Sequence, residues 1–159
     1  YHHGNGTQSI FYGRSDVLVV SVHGDPRTEY PFYLGHADEV GTGEGIGFNM
    51  NLPLPAGTTV ERWFSALEAA CKRIERHRAE ALVVSLGLDT YAGDPISKFA
   101  LQTQDVLRLG SRLNELGLPT ALILEGGYAA RELGVNAANV LDGFSLPVHR
   151  MSARAPSDG

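Results

Sequence analysis

The stretch Ala81–Pro95, ALVVSLGLDTYAGDP, constrains the fold more than any other. It opens on a short apolar, β-branched-rich run, flanked by charge on one side and glycine on the other. A run this short and this apolar reads as a strand buried on both faces, as in a parallel sheet. Loop-forming residues follow at once: Gly87, Asp89, Gly93 and Asp94-Pro95. Ligands of open α/β sheets gather beyond the carboxyl ends of the strands, so Asp89 is placed for chemistry. Aspartate also caps helices and fixes turns, and taken alone this residue carries either reading.

The same design recurs along the chain. Val17–Val22 is a second buried-strand run, ending in His23-Gly24-Asp25-Pro26, and Pro119–Leu124 is a third, ending in Glu125-Gly126-Gly127-Tyr128. Phe48–Leu54 alternates apolar and polar residues, which predicts a strand with one face exposed, ended by Pro53 and Pro55. Between them the period changes. Val60, Trp63, Phe64, Leu67, Cys71 and Ile74 share one helical face, with Thr58 or Thr59 as N-cap and an end near Arg78. Gln102–Leu116 is a second helix, stopped by Gly117, and Ala130–Leu141 is a last one. Thr7–Tyr12 can form a short helix. Strands alternating with helices in this order give an α/β domain with a parallel sheet flanked by helices. Residues 27–47 carry little periodicity, but Tyr30, Phe32 and Tyr33 favour an ordered, functional loop. Residues 150–159 read as a disordered tail.

Composition removes whole classes of function. A formal net charge of −5 argues against nucleic-acid binding, and no basic run offers itself to a membrane surface. No apolar run reaches transmembrane length. The single cysteine, Cys71, suits a reducing, cytoplasmic setting and sits on the apolar stripe as a core residue. The opening Tyr1-His2-His3-Gly4-Asn5-Gly6, dense in functional residue types, predicts that an upstream part with its own strand precedes this segment.

If the strands are parallel, His2, His23, Asp25, Asp89 and Glu125–Tyr128 all gather at one sheet edge. Imidazole and carboxylate donors with an open position are what a catalytic divalent metal needs, and a tyrosine on a glycine-flanked turn can offer a hydroxyl to an oxyanion. Taken in order, HHGNGTQ, SVHGDP, SLGLDTYAGDP and LEGGY resemble the zinc-dependent histone deacetylase and acetylpolyamine amidohydrolase superfamily, of arginase-like fold. The resemblance runs from Tyr1 to about Gly143. The Glu-Gly-Gly-Tyr form and the segment GHADEVGTGEG look more like the bacterial acetylpolyamine amidohydrolase branch. It implies that residues 1–149 are the C-terminal part of a deacetylase-like, three-layer catalytic domain.

By that resemblance His2 and Asp89 match zinc ligands. Tyr128 matches the tyrosine that polarises the scissile acetyl carbonyl, a task open to a phenol because it keeps its proton at neutral pH. Asn5 matches the residue that orients one of two catalytic histidines. Tyr30 falls on the aromatic wall of the acyl-lysine tunnel, with Ile96, Gly126 and Gly127 also at the pocket. The His2 carbonyl and the Ser21 hydroxyl match members of a structural potassium site, and His3 a packing role. Two family features, an aspartate ligand just before Tyr1 and a tandem His-His base, would lie upstream. The implied reaction is zinc-dependent hydrolysis of an acetylated polyamine or acetyl-lysine-like amine, a small cationic substrate, to acetate and a free amine. Acids near the tunnel mouth (Glu29, Asp38, Glu39 and Glu44) could steer it. The alternative is a catalytically inactive module, short of one ligand and the base. The resemblance leaves room for a homodimer of the full-length protein. A dimanganese arginase-type site is disfavoured by Asn5, where two-metal chemistry wants an aspartate. The loop histidines His23 and His36, and His149 near the tail, are assigned mainly local roles.

Overall fold

The structure, a computed structural model, describes residues 1–147. The expected tail 150–159 and His149 lie outside the described residues. The elements follow the order α1 (Asn5–Phe11), β1 (Val19–Gly24), β2 (Asn49–Leu54), α2 (Val60–His77), β3 (Leu82–Leu86), α3 (Thr103–Asn114), β4 (Thr120–Leu124) and α4 (Leu133–Phe144), with a single 3-10 turn at Gly43–Gly45. The strands form two parallel pairs. β1 and β2 run in register from Val19 opposite Asn49 to Gly24 opposite Leu54, and β3 and β4 from Leu82 opposite Thr120 to Leu86 opposite Leu124. Parallel pairing puts all four carboxyl ends on the same side of their pairs, which is what gathers the loop residues.

α2 and α3 start on local caps. The Thr59 side chain accepts from the Arg62 N–H at the start of α2, and Arg78 closes it in the left-handed region at φ 57°. Trp63, Ala66, Leu67, Ala70 and Cys71 are its buried face, and α2 lies against β1 and β2. At a typical 1.5–3 kcal/mol for each large apolar side chain, roughly, this stripe does more for the helix than its caps. Asp105 accepts from the Gln102 N–H at 2.9 Å to start α3. Arg112 on α3 donates to Glu68 (2.7 Å) and Glu75 (3.1 Å) of α2, tying the two helices together. α3 and α4 meet backbone to backbone: a Cβ at Gly110 would collide with the Val140 carbonyl and lie 2.9 Å from the Phe144 nitrogen. One apolar core runs through Tyr1, Leu54, Trp63, Leu67, Cys71, Leu86, Phe99, Leu101, Leu109 and Val140. Among the described residues no helix is long and apolar enough to cross a membrane.

The structure corrects several expectations. β3 is not buried on both faces: Leu82, Val84 and Leu86 pack inward, whereas Val83 is 70% exposed and Ser85 is also exposed, because no described element covers that side. The outer face of β4 is open in the same way, at Ala121 and Ile123. In β2 the polar positions are the deeper ones. Asn49 and Asn51 are buried, Pro53 lies inside the strand opposite His23, and the side chains of both asparagines donate to Gln8 of α1. A hydrogen-bonded layer, not an exposed face, explains that alternation. His23 is no loop residue: it sits in β1 with no exposed surface.

Candidate functional site

Tyr1 lies between the carboxyl ends of the two strand pairs. Its carbonyl accepts from the Gly24 N–H (2.8 Å) at the end of β1, and its nitrogen reaches Asp89 Oδ1 (2.5 Å) beyond β3. Asp89 is only 4% exposed. Its carboxylate rests between two glycines: a Cβ at Gly87 would stand 2.6 Å from Oδ1, and one at Gly126 would stand 2.7 Å from Cγ and closer still to Oδ2. Glycine here makes the room in which a buried carboxylate can stand, a cradle that any larger residue would fill.

His2, one residue on, is within range of the Asp89 and Glu29 carboxylates. Partial desolvation, and after it the positive charge at the Tyr1 nitrogen, hold the His2 imidazole below its ordinary value against the pull of the two carboxylates, which favours a neutral ring with a free lone pair. The ring meets Tyr1 edge-on at 5.2 Å and Tyr30 at 5.8 Å, so Tyr30, itself exposed, stands beside His2 as a rim. The loop after β4 crosses to the same place: Glu125 N–H donates to the Leu86 carbonyl (2.9 Å) and Leu88 N–H to the Gly126 carbonyl (2.8 Å). Tyr128 therefore lies two residues past Gly126, the glycine that bounds Asp89, with its side chain 59% exposed. Ile96 sits on the Asp89 loop, its N–H bonded to Asp94.

Beneath this edge is a buried polar layer. Ser21 Oγ lies 3.2 Å from His3 Nδ1 and 2.7 Å from His23 Nδ1, and His23 Nε2 lies 2.9 Å from the Gly35 carbonyl. Burial pushes His23 down to about 4, against the Gly35 hydrogen bond that pulls it up. His3 is held below its ordinary value by the same desolvation. Asn5 donates to the Tyr33 hydroxyl at 3.3 Å. His36 contributes its carbonyl, which accepts from Asn51.

The acids expected to steer a cation divide. Glu29 is buried and paired with Lys98 at 2.6 Å, and Glu39 turns inward to accept from Gly35 N–H and Gln8. Asp38 and Glu44 are exposed. The sequence reading missed one residue at the site, Asp94. Its buried carboxylate accepts from the Tyr128 N–H (2.6 Å) and the Ala129 N–H (3.0 Å). The Asp-Pro pair was its visible signal, and that signal reads first as a turn.

As donors, an imidazole and a glycine-cradled carboxylate suit a borderline divalent ion such as zinc. They are two donors: among the described residues no group of three or more His, Cys, Asp or Glu side chains could hold a metal ion.

Comparison with known proteins bears on residues 1–144, which match the model of the histone deacetylase domain. Acetylpolyamine amidohydrolase 2 of Pseudomonas aeruginosa is 57% identical over 118 residues, covering 74% of this chain and 34% of that protein. The solved acetylpolyamine aminohydrolase of Burkholderia pseudomallei superposes with a TM-score of 0.89 at 46% identity, over 90% of this chain and 42% of that one. A histone deacetylase homologue from Aquifex aeolicus gives 0.81 at 32% identity, over 92% and 40%. The chain thus spans about a third of the length of the curated relatives it matches.

Proposed function

The chain belongs to the histone deacetylase domain family, and on that premise we propose that it forms the C-terminal part of a zinc-dependent deacetylase and supplies one side of its active site. The observation that carries the reading is the buried Asp89 carboxylate, cradled by Gly87 and Gly126, with His2 beside it and Tyr128 two residues past the cradle. His2 and Asp89 would hold the zinc. When bound, the metal acts as a Lewis acid toward an amide carbonyl and lowers the pKa of water. The chain's own residues do the rest. Tyr128 presents a hydroxyl that can donate to the substrate's carbonyl oxygen as charge grows there, Tyr30 and Ile96 line the approach, and Asn5 and Tyr33 hold each other at the rim. A structural potassium ion near Ser21 belongs to the same proposal. The substrate we propose is an acetylated polyamine or a similar acetylated amine, in line with the names of the relatives above 45% identity and with a formal net charge of −5.

The test is acetate release from acetylputrescine and acetyl-lysine by the zinc-loaded full-length protein. Absence of turnover on both with zinc bound would sink the reading. Tyr128→Phe should lower kcat about 100- to 1,000-fold, as loss of one oxyanion donor does, while leaving zinc content intact. A second reading has its own observation. Since the described residues bring no third metal donor together, the 159-residue chain by itself should be inactive, and measurable turnover by it would overturn that statement.

A further inference from the structure

The loop that carries Tyr128 cannot fix its own shape. Gly126 and Gly127 precede the tyrosine, and Gly127 takes φ +151°, a conformation L side chains rarely adopt. The Tyr128 side chain is exposed, and among the described residues its hydroxyl makes no hydrogen bond. Among the described residues no hydrogen bond restrains the phenol itself, so where the backbone is held sets the range its hydroxyl can reach. That backbone is tied down on both sides by the segment that carries Asp89. Upstream, the Leu88 N–H holds the Gly126 carbonyl at 2.8 Å. Downstream, Asp94 Oδ2 accepts from Tyr128 N–H at 2.6 Å and from Ala129 N–H at 3.0 Å, while Oδ1 is held by Ile96 N–H at 3.1 Å. Asp94 is 5% exposed, so these bonds to a carboxylate compete with little water.

We infer that Asp94 is a positioning residue for Tyr128: its carboxylate fixes the distance between the Tyr128 hydroxyl and the Asp89 end of the site. The inference rests on the deacetylase reading and adds to it a residue that touches neither metal nor substrate. Aspartate is required for its shape as well as its charge. Two acceptor oxygens on a short stem can take two adjacent N–H groups from one loop and one from the other, whereas an amide would turn an NH2 toward one of those donors. Displacement of a reacting group by about 1 Å can cost on the order of 100-fold in rate.

The experiment is a double-substitution cycle in the zinc-loaded full-length protein. Asp94→Asn should lower kcat about 10- to 100-fold, with KM and zinc occupancy within about threefold of the parent. In a Tyr128→Phe background the same substitution should change the residual kcat by less than about threefold, because the group it positions is gone. A kcat for Asp94→Asn within threefold of the parent overturns the inference. So does an equal loss in both backgrounds, or a loss of zinc that accompanies the loss of rate. If Tyr128→Phe itself turns over at the parental rate, it is the assignment of Tyr128 that fails, a result separable from the others. Should Asp94→Asn not fold, hydrogen exchange of the parent decides. Tyr128 and Ala129 amides protected about 100-fold or more support the clamp, and exchange at the rate of a free loop overturns it.

Discussion

Gly126→Ala is the sharpest test of how the site is built. The new methyl would stand 2.7 Å from Asp89 Cγ, 3.1 Å from Oδ1 and closer still to Oδ2. Carbon atoms in comfortable contact are about 3.5–4.0 Å apart, so the carboxylate must retreat by about 1 Å. On its other side Oδ1 meets the Tyr1 nitrogen at 2.5 Å, which limits that retreat. Metal–ligand distances tolerate about 0.2 Å, so a shift of that size removes Asp89 as a ligand. Loss of supporting groups around a metal costs about 10- to 100-fold in affinity, and loss of the ligand itself should reach at least the upper figure. The assay is competition for zinc with a chelating indicator in the full-length protein, with acetate release measured alongside. Gly134→Ala is the control: it is in α4 and a methyl there meets nothing within 4 Å, so zinc affinity should not change. Zinc affinity of Gly126→Ala within threefold of the parent would refute the cradle, whatever happened to the rate.

Two further predictions concern stability. Gly110→Ala drives a methyl into the Val140 carbonyl and the Phe144 nitrogen, both backbone, so neither neighbour can rotate away; the cost should be about 3 kcal/mol, read as a fall in Tm of about 10 °C. His23 supplies a pH dependence. Its folded pKa of about 4 lies below the ordinary histidine value of about 6.5, so the unfolded chain takes up the proton first. The stability tied to the neutral ring is therefore whole above about pH 6.5 and is lost as pH falls toward 4, by up to about 3 kcal/mol. Urea unfolding at pH 7 and pH 4.5 measures it, and His23→Gln should remove most of the difference; equal stability of the parent at both values would contradict the burial argument.

Elements were legible where one physical signal acted alone. The stripe from Val60 to Ile74 and a threonine cap at 58 or 59 specify α2 without help from the rest of the chain, and the structure places it at Val60–His77 with Thr59 as the cap. Strand burial was less legible, since an apolar run records what a strand can bury and not what covers it. Val83 has the residue type of a buried position and stands 70% exposed. Asn49 and Asn51 show the converse. Two asparagines at alternate positions read as a solvent face, yet inside the fold their NH2 groups donate to Gln8 of α1 and to the carbonyls of His36 and Glu39. Their partners lie 10 to 43 residues away in sequence, beyond any local pattern.

The same limit decides what could be read of the site. The chain has two Asp-Pro pairs past strand ends, Asp25-Pro26 and Asp94-Pro95, and as sequence they are equivalent. In the fold they differ. Asp25 spends its carboxylate locally: Arg27 donates to it from the backbone at 3.0 Å and from the side chain at 2.5 Å, and these bonds hold it down at about 2. Asp94 makes one local bond, to the Ile96 N–H, and turns its other oxygen to two amides 34 and 35 residues away. Nothing in either pair encodes that choice. It is made by β3 and β4 pairing in parallel with Leu86 opposite Leu124, which brings the loops after both strands within hydrogen-bond range. A carboxylate in that gap with a free oxygen meets the unpaired N–H groups of the neighbouring loop. The residue that holds Tyr128 thus follows from strand register, whereas the tyrosine itself could be found from its motif.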